Sequence, residues 1–392
     1  MQRELSKLDV NEDVLYRSLG TLSEGERTKI MLAGLFLREN NFLLIDEPTN
    51  HLDLAARLTV ARYLNTKSGF ILVSHDRAFL DGCIDHVLSI NRANIEVTKG
   101  NFSAWFQRKK EQDEAELSQN RKLKKEIGRL EESAARTANW SDKVEKSKIG
   151  AGDKGYVGHM AAKMMKRSKN TENLRNKAVE EKSKLLKNIE AANTELKIHS
   201  LKYHSRRLLS LEDVSIFYGE KRVCADINFS LNQGERLAIV GGNGTGKSSI
   251  LKLICNSSQI QHTGKVSAGG GLKISYVAQN SEHLAGSLGD YISHFGLDEP
   301  LFKAILRKLD FSRDQFDRNI EDYSAGQKKK LMIANSLSTQ AHLYIWDEPL
   351  NYIDVLSRIQ IEELIRNYSP TMLFVEHDAD FCRNTATQFL EL

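Results

Sequence analysis

No stretch of this 392-residue chain approaches the roughly 18 consecutive apolar residues that a membrane-spanning helix needs. Its first residues, Met1-Gln2-Arg3-Glu4-Leu5, lack the apolar core of a secretory signal. Cysteine is scarce: Cys83, Cys224, Cys255 and Cys382 stand singly, with neither disulfide nor metal spacing. That pattern excludes a disulfide scaffold and a cysteine-built metal cluster. It suits small core residues in a reduced, cytosolic compartment. What remains, 40% hydrophobic and 28% charged, is ordinary globular composition, in a chain long enough for two or three domains. The net charge of +4 is also unremarked until it is divided. Residues 107–207 hold 26 Lys and Arg against 15 Asp and Glu, a net +11, which leaves −7 for the rest.

The most specific string is Gly241-Gly242-Asn243-Gly244-Thr245-Gly246-Lys247-Ser248, which matches G-x-x-x-x-G-K-[ST]. Gly241, Gly244 and Gly246 allow a tight turn whose N–H groups point inward around phosphate oxygens. Lys247 suits the β- and γ-phosphates, and the Ser248 hydroxyl suits Mg²⁺. Asn243 and Ser249 complete the set of nucleotide contacts expected here. An apolar run at 236–240 reads as the incoming strand and 248–255 as the outgoing helix, whose N-terminus adds partial positive charge.

A second pattern occurs twice. Leu22-Ser23-Glu24-Gly25-Glu26-Arg27 recurs as Tyr323-Ser324-Ala325-Gly326-Gln327-Lys328. The string from Phe42 to Asp53, with Asp46-Glu47-Pro48, recurs from Leu343 to Asp354, with Asp347-Glu348-Pro349. Ser74-His75-Asp76 recurs as Glu376-His377-Asp378. The spacing between copies is 301 residues, rising to 302 at the histidine. An ordered repeat of this length means two copies of one domain. In each, an apolar strand ends in paired acids, which sets carboxylates at the edge of a parallel sheet, where ligands bind. Asp347 is placed to hold Mg²⁺ and Glu348 to orient and deprotonate a water.

The basic region between the copies has a different periodicity. Leu117, Leu123, Ile127 and Leu130 form one helical stripe, and Leu174, Ala178, Leu185, Ile189 and Leu196 another. Two helices around Gly150, Gly152, Gly155 and Gly158 predict an antiparallel hairpin. Its net +11 suits an RNA surface through phosphate neutralisation, although a solvated coiled-coil spacer has the same signature. Trp140 and Tyr156 near the turn would stack on a base or simply staple the hairpin.

Both copies resemble ATP-binding cassette domains, and the resemblance covers nearly the whole chain. It implies that Ser23, Gly25 and Glu26, and likewise Ser324, Gly326 and Gln327, are signature residues that contact ATP held by the other copy. Glu24 and Ala325 depart from the commonest pattern at the middle position. The resemblance further implies His377 as a switch at the γ-phosphate and Gln279 as a sensor of Mg²⁺ and the water. Tyr218, 23 residues before Gly241, is placed to stack on adenine and equally well to be a strand-end aromatic. Tandem cassettes around a basic helical linker resemble the ABC-F subfamily. The wording from Leu343 to Asp354 and the stretch from Trp140 to Asn170 are similar to its antibiotic-resistance branch, which protects ribosomes against lincosamides, streptogramin A and pleuromutilins. A housekeeping translation factor of the same family and a transporter ATPase subunit are the alternatives. Scattered cysteines exclude the iron–sulfur ribosome-recycling relatives.

The expected architecture is therefore α/β: two P-loop cassettes, the first incomplete, joined by a basic helical hairpin. The expected boundaries are 1–106, 107–207 and 208–392. Substrate and cofactor are ATP and Mg²⁺, the partner is ribosomal RNA through the linker, and the setting is cytoplasmic. One phosphate loop is present where two are called for: only 22 residues precede Ser23, whereas 83 separate Gly241 from Ser324. One site is thus expected to be whole, built from Lys247, Ser248, Gln279, Asp347, Glu348 and His377 and closed by Ser23, Gly25 and Glu26. Met1 is expected to be an internal methionine of a longer product, the alternative being a natural one-site chain.

Overall fold

The computed structural model describes residues 1–38, 41–50, 52–90, 95–146, 200–255 and 260–392, the backbone alone from 130 to 146. They fall into two compact units, Met1–Ser103 with Ala192–Leu392, and Ala104–Ala191. Within the second unit the first linker arm is helical, as part of α5 (Phe102–Lys146). The glycine turn, Tyr156, the second arm and its Leu174–Leu196 seam lie outside the described residues, as do the contacts expected of Trp140.

The first copy begins with α1 (Gln2–Lys7) and two short 3-10 turns, then α2 (Glu24–Phe36). Ser23 starts α2 as a capping box: its hydroxyl accepts from Glu26 N at 3.2 Å, and the Glu26 carboxylate accepts from Ser23 N at 2.8 Å. The two orphan donors of the helix start are satisfied reciprocally. β1 (Leu43–Asp46) leads to α3 (Leu54–Asn65), capped by Asp53, then β2 (Phe70–Val73), α4 (Arg77–Cys83) and the hairpin β3 (His86–Ile90) and β4 (Ile95–Lys99). β1 and β2 pair in parallel.

The second copy opens with β5 (Arg207–Tyr218) and β6 (Lys221–Asn232), which join β8 (Gln261–Ala268) in an antiparallel sheet ordered β6-β5-β8. The residues just before β5 already pack here: Tyr203 Oη donates to Gly270 O at 2.8 Å, and Leu201 N to Ala341 O at 2.9 Å. β7 (Arg236–Val240) runs into the phosphate loop and α6 (Lys247–Cys255). After β9 (Ile274–Val277) come α7 (Leu288–Phe295), α8 (Glu299–Lys308) and α9 (Ala325–Ser338), the last with the same capping box at Ser324 and Gln327. β10 (Leu343–Asp347), α10 (Val355–Tyr368), β11 (Met372–Val375), α11 (Ala379–Thr385) and β12 (Gln388–Glu391) finish the copy. The parallel sheet is ordered β12-β7-β11-β10-β9, so the phosphate-loop strand is interior, as a doubly covered sheet requires.

Coverage separates the copies. In the second, Tyr344, Trp346 and Phe374 bury one face of the sheet among the helices, and Ile345, Leu373 and Val375 bury the other beside Ile239, Ile250 and Leu253. In the first, Leu43 and Ile45 face a core with Leu32, Val60, Leu64 and Phe79. The opposite face stands open: Leu44 is 75% exposed, where its repeat equivalent Ile345 is 0%. Ile71 and Val73 are exposed beside it, where Leu373 and Val375 are buried. The elements that cover this face in the second copy, α6 and the antiparallel sheet, have no counterpart among the described residues of 1–103, and neither has the interior strand β7.

Candidate functional site

β7 delivers the phosphate loop, and two of its glycines are forced. At Gly241, φ is 151° and a Cβ would meet Leu392 O at 2.7 Å; at Gly246, φ is 96° and a Cβ would meet Val223 Cγ1 at 2.9 Å. Gly244 also has positive φ. Lys247 is nearly buried, and its Nζ donates to the loop carbonyls of Gly241 at 2.9 Å and Gly242 at 2.7 Å. Burial pulls its ammonium below the ordinary lysine value, opposed by the carboxylates of Glu348, Asp53 and Asp347. The loop and the α6 N-terminus therefore present one cation, Lys247, and N–H dipoles to one spot, which favours a polyphosphate. The Tyr218 hydroxyl lies 3.4 Å from Ser249 Oγ and its ring is half exposed, open to a flat partner.

The paired acids take separate partners. Ser248 Oγ donates to Asp347 Oδ1 at 2.9 Å. Asp347 is buried, which raises its pKa against the Ser248 hydrogen bond. Glu348 Oε2 accepts from Gln279 Nε2 at 2.8 Å and Asn351 Nδ2 at 2.9 Å, and Oε1 lies 3.4 Å from His377 Nε2. Burial would raise this carboxyl. The bonds and charge of His377 and the amides of Gln279 and Asn351 overcome that and hold it at about 2. Glu348 and its equivalent Glu47 both adopt φ of 46°, a left-handed conformation that costs on the order of 1–3 kcal/mol for a residue with a side chain. Hard oxygen donors from Ser248, Asp347 and Gln279 fit Mg²⁺.

The signature of the first copy meets these residues across one cavity of about 580 Å³. Ser23, Gly25 and Glu26 line it together with Asp53, Asn243, Glu348 and His377. Asp53 Oδ2 would lie 3.7 Å from a Cβ placed on Gly242, so the loop after β1 faces the phosphate loop. The Glu26 carboxylate is engaged in the helix cap and with Arg17, 3.3 Å away, so its part here is to present the α2 N-terminus. Lys247, Ser248, Gln279, Asp347, Tyr218 and Ser249 do not line this cavity; Gln279 joins it through its bond to Glu348 and Lys247 through the loop carbonyls.

The equivalent groups of the first copy lack such a setting. His75 Nε2 lies 3.4 Å from Glu47 Oε1, reproducing the other pair's spacing, yet that oxygen has no hydrogen-bond partner. Burial pushes Glu47 up to about 7, with Arg358 opposing. At Gly326, Tyr352 O would sit 2.4 Å from a Cβ, so the backbone closes over that signature.

Three participants escaped the sequence reading. Asn351 and Asp53 carried a signal, since Asn50 and Asp354 repeat them. Lys329, whose buried Nζ donates to Ala278 O at 3.0 Å and Glu348 O at 3.2 Å, carried none, because Thr28 occupies the corresponding place in the first copy.

Comparison with known proteins agrees with this geometry. The family model described as ABC transporter matches residues 1–50 and 224–351. YdiF of Bacillus subtilis (strain 168) is 31% identical over 378 residues, which are 95% of this chain and 55% of that protein. The ribosome protection protein VmlR of the same organism is 29% identical, over 95% of this chain and 69% of its own length. The chain thus spans little more than half of YdiF. Among solved structures, an archaeal ribosome recycling factor in complex with a ribosomal stalk protein has the same fold, with a TM-score of 0.63 at 21% identity over 100% of this chain and 65% of that one. Among the described residues, no helix is long and apolar enough to cross a membrane.

Proposed function

We propose that this chain is an ATP-binding cassette protein of the ABC-F type, which binds and hydrolyses MgATP between the phosphate loop of its second copy and the signature of its first. The observation that carries the reading is the shared cavity, in which Ser23, Gly25 and Glu26 face Asn243, Glu348 and His377. Lys247 and the α6 N-terminus neutralise the phosphates, and Tyr218 takes the adenine face. Ser248, Asp347 and Gln279 would hold Mg²⁺, which when bound neutralises charge on the transferring phosphoryl group. Glu348, aimed by Gln279 and His377, accepts the proton of the attacking water. The Ser23 hydroxyl and the α2 N-terminus complete the ring of donors only when the copies are closed, so occupancy and closure are one event.

That coupling gives the chain a clock, and the linker gives it an address. The net +11 of residues 107–207 suits ribosomal RNA, and the relative VmlR carries ribosome protection in its name. ATP-driven closure would set the pose of the linker on the ribosome, in the cytoplasm, against antibiotics at the peptidyl transferase region, and hydrolysis would release it. The cassette boundaries at 106/107 and 207/208 belong to this reading.

The test is Glu348→Gln. Turnover should fall by about 10²–10³-fold, within the range a general base supplies, while ATP-dependent co-sedimentation with ribosomes persists longer than in the wild type. Unchanged turnover refutes the base assignment, and loss of ribosome binding in ATP refutes the timing role. Drug susceptibility of a strain expressing the gene separates protection from a housekeeping role in translation.

A further inference from the structure

Arg57 lies one turn into α3 of the first copy and is 8% exposed. Its guanidinium makes three bonds. Nε donates to Leu52 O at 2.9 Å, holding the loop that carries Asp53. Nη1 donates to Asp76 Oδ2 at 2.8 Å, which supplies the counter-charge a buried cation needs. Nη1 also donates to His377 O at 3.2 Å, and this bond crosses from the first copy to the second.

The repeat shows which of these are housekeeping. Arg358 occupies the equivalent place in the second copy, with Nε on Ile353 O at 2.9 Å and Nη1 on Asp378 Oδ2 at 3.2 Å. Local bracing of the loop and of the aspartate after the histidine therefore belongs to the cassette itself. The bond to His377 O is not explained by that bracing. It lands on the one peptide whose imidazole stands 3.4 Å from Glu348. The other side of the same residue is fixed too, since His377 N donates to Glu376 Oε2 at 3.0 Å. With its amide held by its own copy and its carbonyl by the other, the height of the imidazole over Glu348 depends on where the first copy sits.

We propose that Arg57 is a positioning residue, through which closure of the first copy sets the His377–Glu348 pair of the second. The assignment rests on hydrolysis at the composite site. A planar guanidinium reaches all three acceptors at once, whereas a lysine ammonium keeps the charge beside Asp76 but not the fork. Arg57→Lys should thus preserve the fold and lose the register. Arg77 provides the control, because its Nη2 crosses the same boundary to Glu362 Oε2 at 2.7 Å and lies 3.9 Å from the Asp378 carboxylate, yet makes no bond to the His377 carbonyl.

The experiment compares MgATP hydrolysis by the full chain and its Arg57→Lys, Arg77→Lys, His377→Gln and Arg57→Lys/His377→Gln variants, with melting temperatures and the Kd of a fluorescent ATP analogue. Arg57→Lys should lower kcat about tenfold, equivalent to about 1.4 kcal/mol in the barrier, with Kd unchanged within twofold. In the His377→Gln background the same change should cost less than twofold, because residues acting as one unit are non-additive. Arg77→Lys should lower the melting temperature and leave kcat within twofold. Equal kcat losses in Arg57→Lys and Arg77→Lys, or a full tenfold loss on top of His377→Gln, would reduce Arg57 to a brace and overturn the proposal. So would an Arg57→Lys chain with wild-type kcat. A wild-type chain without turnover sinks the hydrolysis reading and this inference with it, whereas an active wild type with an indifferent Arg57→Lys sinks this inference alone.

Discussion

Glu348 can be titrated against its own amide. Its carboxyl sits at about 2 in the folded chain against an ordinary 4.5, because the partners His377, Gln279 and Asn351 outweigh burial. The glutamine of Glu348→Gln stands in for a permanently protonated glutamate. At about 1.4 kcal/mol per pKa unit, the shift is worth on the order of 3 kcal/mol of stability. The sign follows from proton binding. Between about 2 and 4.5 the unfolded chain binds the proton and the folded chain does not, so the stabilisation is full above 4.5 and lost as pH falls towards 2. Urea unfolding followed by Trp346 emission, with Trp105 and Trp140 replaced by Phe, reads the second copy directly, since Trp346 is fully buried with Nε1 on Ser336 Oγ at 2.9 Å. Wild type should exceed Glu348→Gln by about 3 kcal/mol at neutral pH and by less than half of that near pH 3. Equal stability at neutral pH, or a gap that ignores pH, would refute the account of how this carboxylate is held.

Two further outcomes follow from the first copy. Glu47, pushed up to about 7, binds its proton more tightly folded than unfolded, so it contributes stability that is present below about 4.5 and lost as pH rises through 7. His75, pushed down by burial, acts in the opposite sense below its ordinary value of 6.5, so the readout is the difference between wild type and Glu47→Gln, which should change by on the order of 3 kcal/mol between pH 4.5 and 8; a flat difference contradicts the burial of Glu47. The open face of Leu44, Ile71 and Val73 should make heating of this chain a two-step process, with an early transition that binds a hydrophobic dye. A single cooperative transition at high temperature would show that cross-copy bonds such as Arg77–Glu362 outweigh the exposed face.

Local order was legible in the sequence wherever spacing dictates backbone. The glycines of the phosphate loop, the capping boxes at Ser23 and Ser324, and the strand ends at Asp46 and Asp347 need only their neighbours to form, and the repeat located them twice. That Ser23 and Gly25 would share a cavity with Glu348 and His377 was also readable, through the resemblance to cassette proteins. Contacts that depend on tertiary packing left no local trace. Arg57 on the His377 carbonyl, between the copies, and Lys329 beneath Glu348, within the second copy, belong here.

The two Asp-Glu-Pro strings make the division plain. Sequence alone determined that each strand ends in paired acids followed by a kinked peptide, because both glutamates take the same φ of 46°. It did not determine what those acids are. Gln279, on a segment with no counterpart among the described residues of 1–103, together with Asn351 and His377, surrounds Glu348 with donors and holds it at about 2. Glu47, equally withdrawn from water but with one oxygen unbonded, rises to about 7. Identical residues in identical local structure differ by several pKa units because donors brought from elsewhere in the chain, and not the motif, set the free energy of a buried charge.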